Sequence, residues 1–216
     1  MQHDLADLRK SVGLARLATY ERAVDGSLEM AVDLYRWNID VSGEMFKLLA
    51  IVEVVLRNTI TNGFKEADLA SGGDGNWLLG NAVIKFPRQR DAVERATHTL
   101  RALDKPLTLD ALVPELSFGF WRYLLTKRYA DLFWTTVFRP SFPFTSNGEQ
   151  RALFDRVGRL HRLRNRIAHH EPIFSRRLDL DYRDCLFVIG AVCPVTAAWA
   201  AGQSRVPQVL EVRPPV

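Results

Sequence analysis

The residues with the greatest chemical potential lie together at Leu163–Phe174, which reads L-R-N-R-I-A-H-H-E-P-I-F. Upstream, Leu153, Val157 and Leu160 recur at helical spacing, and Arg164 continues that apolar stripe four residues later. An unpaired guanidinium on a core-facing stripe is expensive, so Arg164 must meet an acid, polar groups, a cleft or a second subunit. Asn165 follows at once, then His169, His170 and Glu171, before Pro172 discourages further helix. A charge, an amide, two imidazoles and a carboxylate therefore converge at a helix end.

Such a set suits cleavage of an RNA phosphodiester. The 2′-hydroxyl needs a base, the leaving 5′-oxygen needs an acid, and the phosphorane between them needs positive charge. An imidazole near its intrinsic pKa serves as either base or acid. Arg holds a phosphate in two-pronged fashion, and Asn orients it. This scheme calls for no metal and no other cofactor. A structural reading stays open beside it: the histidines satisfy the last helix carbonyls and complement the dipole, and Arg164 is a salt-bridged core residue. Metal binding fits less well. Adjacent histidines point different ways on a helix, and neither H-E-x-x-H nor a paired-Cys motif occurs. Asp179, Asp181 and Asp184 have the spacing of a solvated helix start. Phosphate-loop, dinucleotide and nucleophile-elbow signatures are also missing, which removes those reaction classes.

The elements that must position these residues read as helices, with no convincing alternating run. Leu14 to Val24 predicts a first amphipathic helix, and Ser27 caps a second. Near Trp37–Ser42 the pattern bends, and Ser42 starts the next helix, whose buried stripe is Met45, Leu48, Leu49, Val52, Leu56 and Ile60. Ser71–Gly75 is a loop, followed by an irregular segment that Pro87 closes. Arg88 to Asp104 predicts an exposed charged helix. Further helices follow through Arg122–Arg128 and Tyr129–Phe138, with Arg139–Ser146 as a second loop. Glu149 to Ala168 is the helix that delivers Arg164, and Asp179 to Ala201 predicts one long apolar helix. From about residue 204, Pro207, Pro214 and Pro215 predict an irregular tail.

With those elements in view, R-N-R-I-A-H-H-E-P-I-F resembles the signature of Abi-like (abortive infection) proteins of the HEPN superfamily, an Arg and a His separated by four to six residues. Arg164 and His169 enclose four. Leu17–Ala23 (L-x-x-Y-E-R-A), Leu34–Asn38 (L-Y-R-W-N) and Ser42–Ile60 resemble the family's amino-terminal pattern, and Leu116–Trp121 with Leu132–Trp134 resembles its middle segment. The likeness spans roughly residues 14 to 190. It implies a single all-α domain over 1–216, a HEPN-type helical bundle with additional amino-terminal helices. It also implies a metal-independent endoribonuclease, commonly a phage-defence effector or a toxin held by an antitoxin, acting on RNA as a homodimer. The alternative within the resemblance is a non-catalytic module that binds RNA or a partner protein.

By the same resemblance, Arg164 binds the scissile phosphate, Asn165 supports it, and His169 activates the 2′-hydroxyl or protonates the leaving group, while His170 matches the narrower Abi-like pattern. A toxin subgroup carries Tyr two residues after the His; Glu171 stands there instead, which removes control by modification of that Tyr. Glu53, Arg57 and Asn58 form the amino-terminal polar cluster. Glu53 and Arg57 have the spacing of an ordinary helix ion pair, or else line the cleft with Arg164. Trp37, Trp121 and Trp134 are expected in the core rather than stacked on bases.

The totals are compatible with this picture. A chain of 216 residues, 47% hydrophobic, builds one sizeable core, and a net charge of +4 permits a polyanionic partner without demanding one. Of the 29 basic residues, 6 are Lys and 23 Arg, which favours two-pronged phosphate contacts or reflects GC-rich codon usage. Cys185 and Cys193, if on one helix, stand roughly 12 Å apart, beyond the roughly 7 Å reach of a disulfide, so reduced thiols and a cytoplasmic location are expected. The charged start MQHDLADLRK does not read as a signal peptide. Cys185 to Ser204 lacks charge over the length of a membrane span, but Gly190, Pro194, Thr196, Gln203 and Ser204 make a buried core helix the expectation, with no membrane partner.

Overall fold

The computed structural model of the chain describes residues 5–80, 83–84, 86–146 and 148–216. Part of the irregular segment before Pro87 (Asn81, Ala82 and Lys85) and the first four residues of the charged amino terminus lie outside them. The helices run in the order α1 (Leu5–Val12), α2 (Leu14–Glu21), α3 (Leu28–Ala70), α4 (Pro87–Ala102), α5 (Leu109–Leu112), α6 (Phe118–Leu124), α7 (Lys127–Phe133), α8 (Arg139–Ser141), α9 (Gln150–Ala168), α10 (Leu178–Val192), α11 (Pro194–Gln203) and α12 (Val206–Glu211). Turns of 3-10 helix at Arg22–Val24 and Val113–Glu115 and a π-helical turn at Trp134–Phe138 complete the chain. No strand occurs among the described residues, so the protein is all-α.

α3 is the mast of the bundle. Its 43 residues extend about 64 Å at 1.5 Å per residue. Ser27 begins it, its side chain accepting from the Met30 amide at 3.4 Å. The bend expected near Trp37–Ser42 does not occur. Trp37, Asn38 and Val41 fill the same buried stripe as Leu34 before them and Met45, Leu48, Leu49, Val52, Leu56 and Ile60 after them. An unbroken three-four spacing keeps one face against the core, while Ser42 and Gly43, poor helix formers, sit away from it. α2, α6, α8, α9, α10 and α12 all pack on this one helix.

Other expectations need correction as well. The long apolar helix breaks at Cys193, which is extended (φ −154°) because Pro194 clashes with a helical residue before it; α10 and α11 then fold against each other. No helix among the described residues is long and apolar enough to cross a membrane. The tail from residue 204 contains α12, held to α3 by the Trp37 indole, whose Nε1 donates to the Val209 carbonyl at 2.7 Å. The helix placed at Arg122–Arg128 starts earlier, at Phe118, and ends at Leu124, with Lys127 and Arg128 already in α7. Leu14 to Val24 is α2 plus a 3-10 turn, preceded by α1. Both cysteines are free, Cys185 within the core.

α9 lies on the mast through Leu153, Val157, Leu160 and Leu163, all fully buried. α10 clamps its outer side. Arg159 donates to Asp184 at 2.8 Å and Arg156 stands 3.5 Å from the same carboxylate, while Arg176 grips Asp181 with two bonds of 2.8 and 2.9 Å. Asp181 and Asp184 are buried rather than solvated as expected, and buried carboxylates persist only with such partners. Asp179 takes Arg177 and Arg183.

Candidate functional site

The helical stripe that buries Leu160 carries Arg164 to the edge of the core, where its side chain remains 33% exposed. Glu53 of α3 waits there, its carboxylate 3.7 Å from Arg164 Nε. The contact is too long for a hydrogen bond, and among the described residues the guanidinium has no hydrogen-bond partner. Arg164 is thus charge-compensated yet free to donate. Glu53 turns to α9 instead of forming the local pair with Arg57. Arg57 has its Nε buried without a partner among the described residues, and Asn58 is exposed, about 140° around α3 from Glu53 at 100° per residue. Of the amino-terminal cluster, Glu53 is the member that pairs with Arg164 among the described residues.

One turn before Asn165, the structure adds a residue that the motif did not single out. His161 Nε2 stands 3.3 Å from Asn165 Nδ2. Its ring packs edge-on to Phe118 with centroids 5.7 Å apart, and Gly119 leaves it room, since a Cβ there would stand 3.2 Å from Nε2. Burial pushes the imidazole below its ordinary pKa, and the charges of Arg122, Arg164, Arg162 and Arg88 push the same way. The ring is therefore held neutral, and Nε2 accepts from the Asn165 amide. The signal for His161 was its i, i+4 relation to Asn165.

That shift has a sign. Below about pH 6.5 the unfolded chain protonates this histidine while the folded one resists. The stabilisation is present above that pH and is lost as pH falls through the depressed folded value. Thermal melts of the wild type should drop more steeply between pH 7.5 and 5 than those of His161→Gln; parallel curves would show that His161 is not the group involved.

At the helix end, His169 is the last residue of near-helical conformation and His170 turns left-handed (φ +55°). The Glu171 amide donates to the Arg166 carbonyl at 2.8 Å and the His170 amide to Ile167 at 2.9 Å, which closes the helix with paired carbonyls. His170 is the unusual choice at a position that favours glycine. Three anchors hold the turn: Arg16 of α2 donates to the His170 carbonyl, Arg166 donates twice to the Pro172 carbonyl at 2.7 and 3.2 Å, and the buried Asn38 accepts from the Ile173 and Phe174 amides at 2.8 and 3.1 Å. His169 is left exposed on a rigid terminus.

The two histidines part company here. His170 and Glu171 line a groove of about 770 Å³ with Arg16, Tyr35 and Phe46. His161, Arg164, Asn165 and His169 occupy successive turns of α9, within an arc of about 140° at 100° per residue. Among the described residues no three His, Cys, Asp or Glu side chains gather as a metal-binding group. Trp37 and Trp121 are sealed in the core, whereas Trp134 is only partly buried. Comparison with protein-family models, with curated proteins and with solved structures finds no match to this chain.

Proposed function

We propose that the chain is a metal-independent endoribonuclease of the HEPN type, of the Abi-like family, acting in the cytoplasm as a phage-defence effector or as a toxin with an RNA or protein antitoxin. The observation that carries this reading is the placement of Arg164. It is a half-buried guanidinium with its charge braced by Glu53 and its hydrogen bonds unspent, one residue from an oriented amide and one and a half turns from an exposed imidazole. In this reading Arg164 takes the phosphate oxygens with Asn165 beside it. A histidine accepts the 2′-hydroxyl proton, the 2′-oxygen bonds to phosphorus, and the bond from phosphorus to the 5′-oxygen breaks. A proton delivered to that oxygen completes the step, leaving a 2′,3′-cyclic phosphate and a 5′-hydroxyl.

Purified protein incubated with RNA in EDTA should generate fragments with those ends. Activity lost in chelator and restored by a divalent ion would overturn the metal-free scheme. The Glu53–Arg164 pair itself favours the second reading, a non-catalytic module binding RNA or a partner protein, in which Arg164 is structural; that reading predicts no fragments at all.

One chain offers a sparse acid–base set, and a second copy would double it across a shared positive cleft. In support, α3 exposes Ile39, Gly43, Phe46, Ala50 and Val54 at helical spacing, a stripe that includes part of the groove beside His170. Sedimentation should show a dimer at micromolar concentration, shifted toward monomer by Phe46→Glu. A strictly monomeric, fully active wild type would rule the composite site out.

A further inference from the structure

Between α6, α7 and the first half of α9 lies a cavity of about 800 Å³ that the reading above does not use. We propose that it is a nucleotide subsite, which receives a base against Trp134 and Phe154 and the adjoining phosphate on Arg122, Lys127 and Arg139, for an RNA strand that continues to the site on α9. The continuation rests on the ribonuclease reading; the chemistry of the cavity does not.

Charge is the first argument. Arg156 and Arg159 on α9 are committed to Asp184, and Arg176, just before α10, to Asp181. In the cavity wall, Arg151 takes Asp155 at 3.8 Å, but Arg122, Lys127 and Arg139 have no ion-pair partner among the described residues. Three unspent cations face one remaining lining carboxylate, Asp131. A concave wall of that balance attracts an anion.

Local backbone geometry is the second. Trp134–Phe138 is a π-helical turn, and the Arg139 amide donates to the Trp134 carbonyl across five residues. In an ordinary α-helix two residues five apart diverge by about 140°. The wider turn brings an aromatic and a guanidinium to one wall, and both line the cavity. Such turns recur at functional sites because they re-aim side chains. Trp134 meets Phe154 edge to face, with centroids 5.8 Å apart, and stays partly exposed. An aromatic wall flanked by cations is how single-stranded nucleic acid is held without regard to sequence.

Arg122 supplies the link. It lines the cavity and lies over Gly158, where a Cβ would stand 3.7 Å from its guanidinium, and its charge depresses the proton affinity of His161. A single cation therefore addresses both places. From Phe154 to Asn165 the helix advances about 16 Å, within reach of a short single strand.

The test measures binding apart from cleavage. Fluorescent single-stranded RNA is titrated against the full chain carrying His169→Ala, with Trp134→Ala, Trp134→Phe or Lys127→Gln plus Arg139→Gln added, and each protein is checked for an unchanged melting transition. Trp134→Ala should weaken binding about ten- to a hundredfold, the worth of one stacked base, and Trp134→Phe should restore most of it. The double charge variant should lower the slope of log affinity against log salt by about 0.7 for each phosphate that it no longer neutralises. Unchanged affinity in folded Trp134→Ala and in the double charge variant would overturn the subsite, as would AMP binding in the cavity with RNA affinity unmoved. RNA binding through Trp134 by a protein that never cuts RNA would sink the ribonuclease reading and leave the subsite standing. Cleavage at the wild-type rate by Trp134→Ala and by the double charge variant made with His169 intact, together with unmoved affinity, would do the reverse.

Discussion

His169→Ala is expected to lower RNA cleavage by about a hundred- to ten-thousandfold, the usual cost of losing a general acid or base, without loss of the fold. The side chain is exposed, and the backbone bond from its amide to the Asn165 carbonyl at 3.0 Å needs no imidazole. The turn after it is held by Arg16, Arg166 and Asn38, through bonds to backbone groups rather than to the ring. A lower rate with an unchanged melting temperature therefore isolates chemistry. Arg164→Ala should abolish cleavage as well, but it also strips Glu53 of its counter-charge at the core edge, so some stability goes with it. Arg164→Lys keeps the charge and loses the planar fork, and should recover stability before rate. Glu53→Gln supplies the control: if Glu53 only braces Arg164, cleavage survives. Single-turnover rates for the four variants, read beside their melting curves, decide the assignment. A His169→Ala protein as fast as wild type would remove His169 from the mechanism.

The second large effect is on stability. Asn38→Leu should cost about 2–6 kcal/mol, because two buried amides lose their one acceptor and each unsatisfied group costs about 1–3 kcal/mol. For a chain of this size that corresponds to a melting temperature lower by on the order of 10 °C. Leucine nearly matches asparagine in shape and leaves no void, so the loss would report the hydrogen bonds to Ile173 and Phe174 rather than a cavity. Those two bonds fasten the segment after His169 to α3, so cleavage should fall with them even at temperatures where the variant is folded. Denaturant melts give the first number and initial rates in the cold the second; a variant as stable as wild type would mean that the segment is held elsewhere.

The course of α9 was legible because Leu153, Val157, Leu160 and Arg164 keep one spacing, and its end because Pro172 forbids continuation. That spacing also required Arg164 to meet an acid, polar groups, a cleft or a second subunit, and among the described residues the acid is Glu53. What the sequence concealed was contact across distance. Arg16 and Asn38 act on a turn 154 and 135 residues away, and no local pattern announces such bonds. Glu53 had a suitable partner four residues on in Arg57, and the choice of Arg164 instead depends on how α3 and α9 cross. His161 was open to reading at i, i+4 from Asn165, but only burial against Phe118 and Gly119 makes its ring a held-neutral acceptor. The apparent bend at Ser42–Gly43 misled because weak helix formers away from the core do not outweigh a continuous buried stripe on the other face. The tail failed for the opposite reason. Its prolines at 207, 214 and 215 read as breakers, yet Pro207 sits in the first turn of α12, where its missing amide costs nothing.

One measurement addresses the proposed chemistry most directly. An RNA with a mapped cut site is synthesised twice, once intact and once with a single 2′-deoxy substitution at the nucleotide 5′ to the scissile phosphate, and both are incubated with the wild-type protein in EDTA. If the 2′-oxygen is the nucleophile, the intact strand is cut to a 2′,3′-cyclic phosphate or its hydrolysis product. The substituted strand binds through its phosphates and stays whole at that position. Cleavage of the substituted strand at the same bond would contradict the mechanism outright.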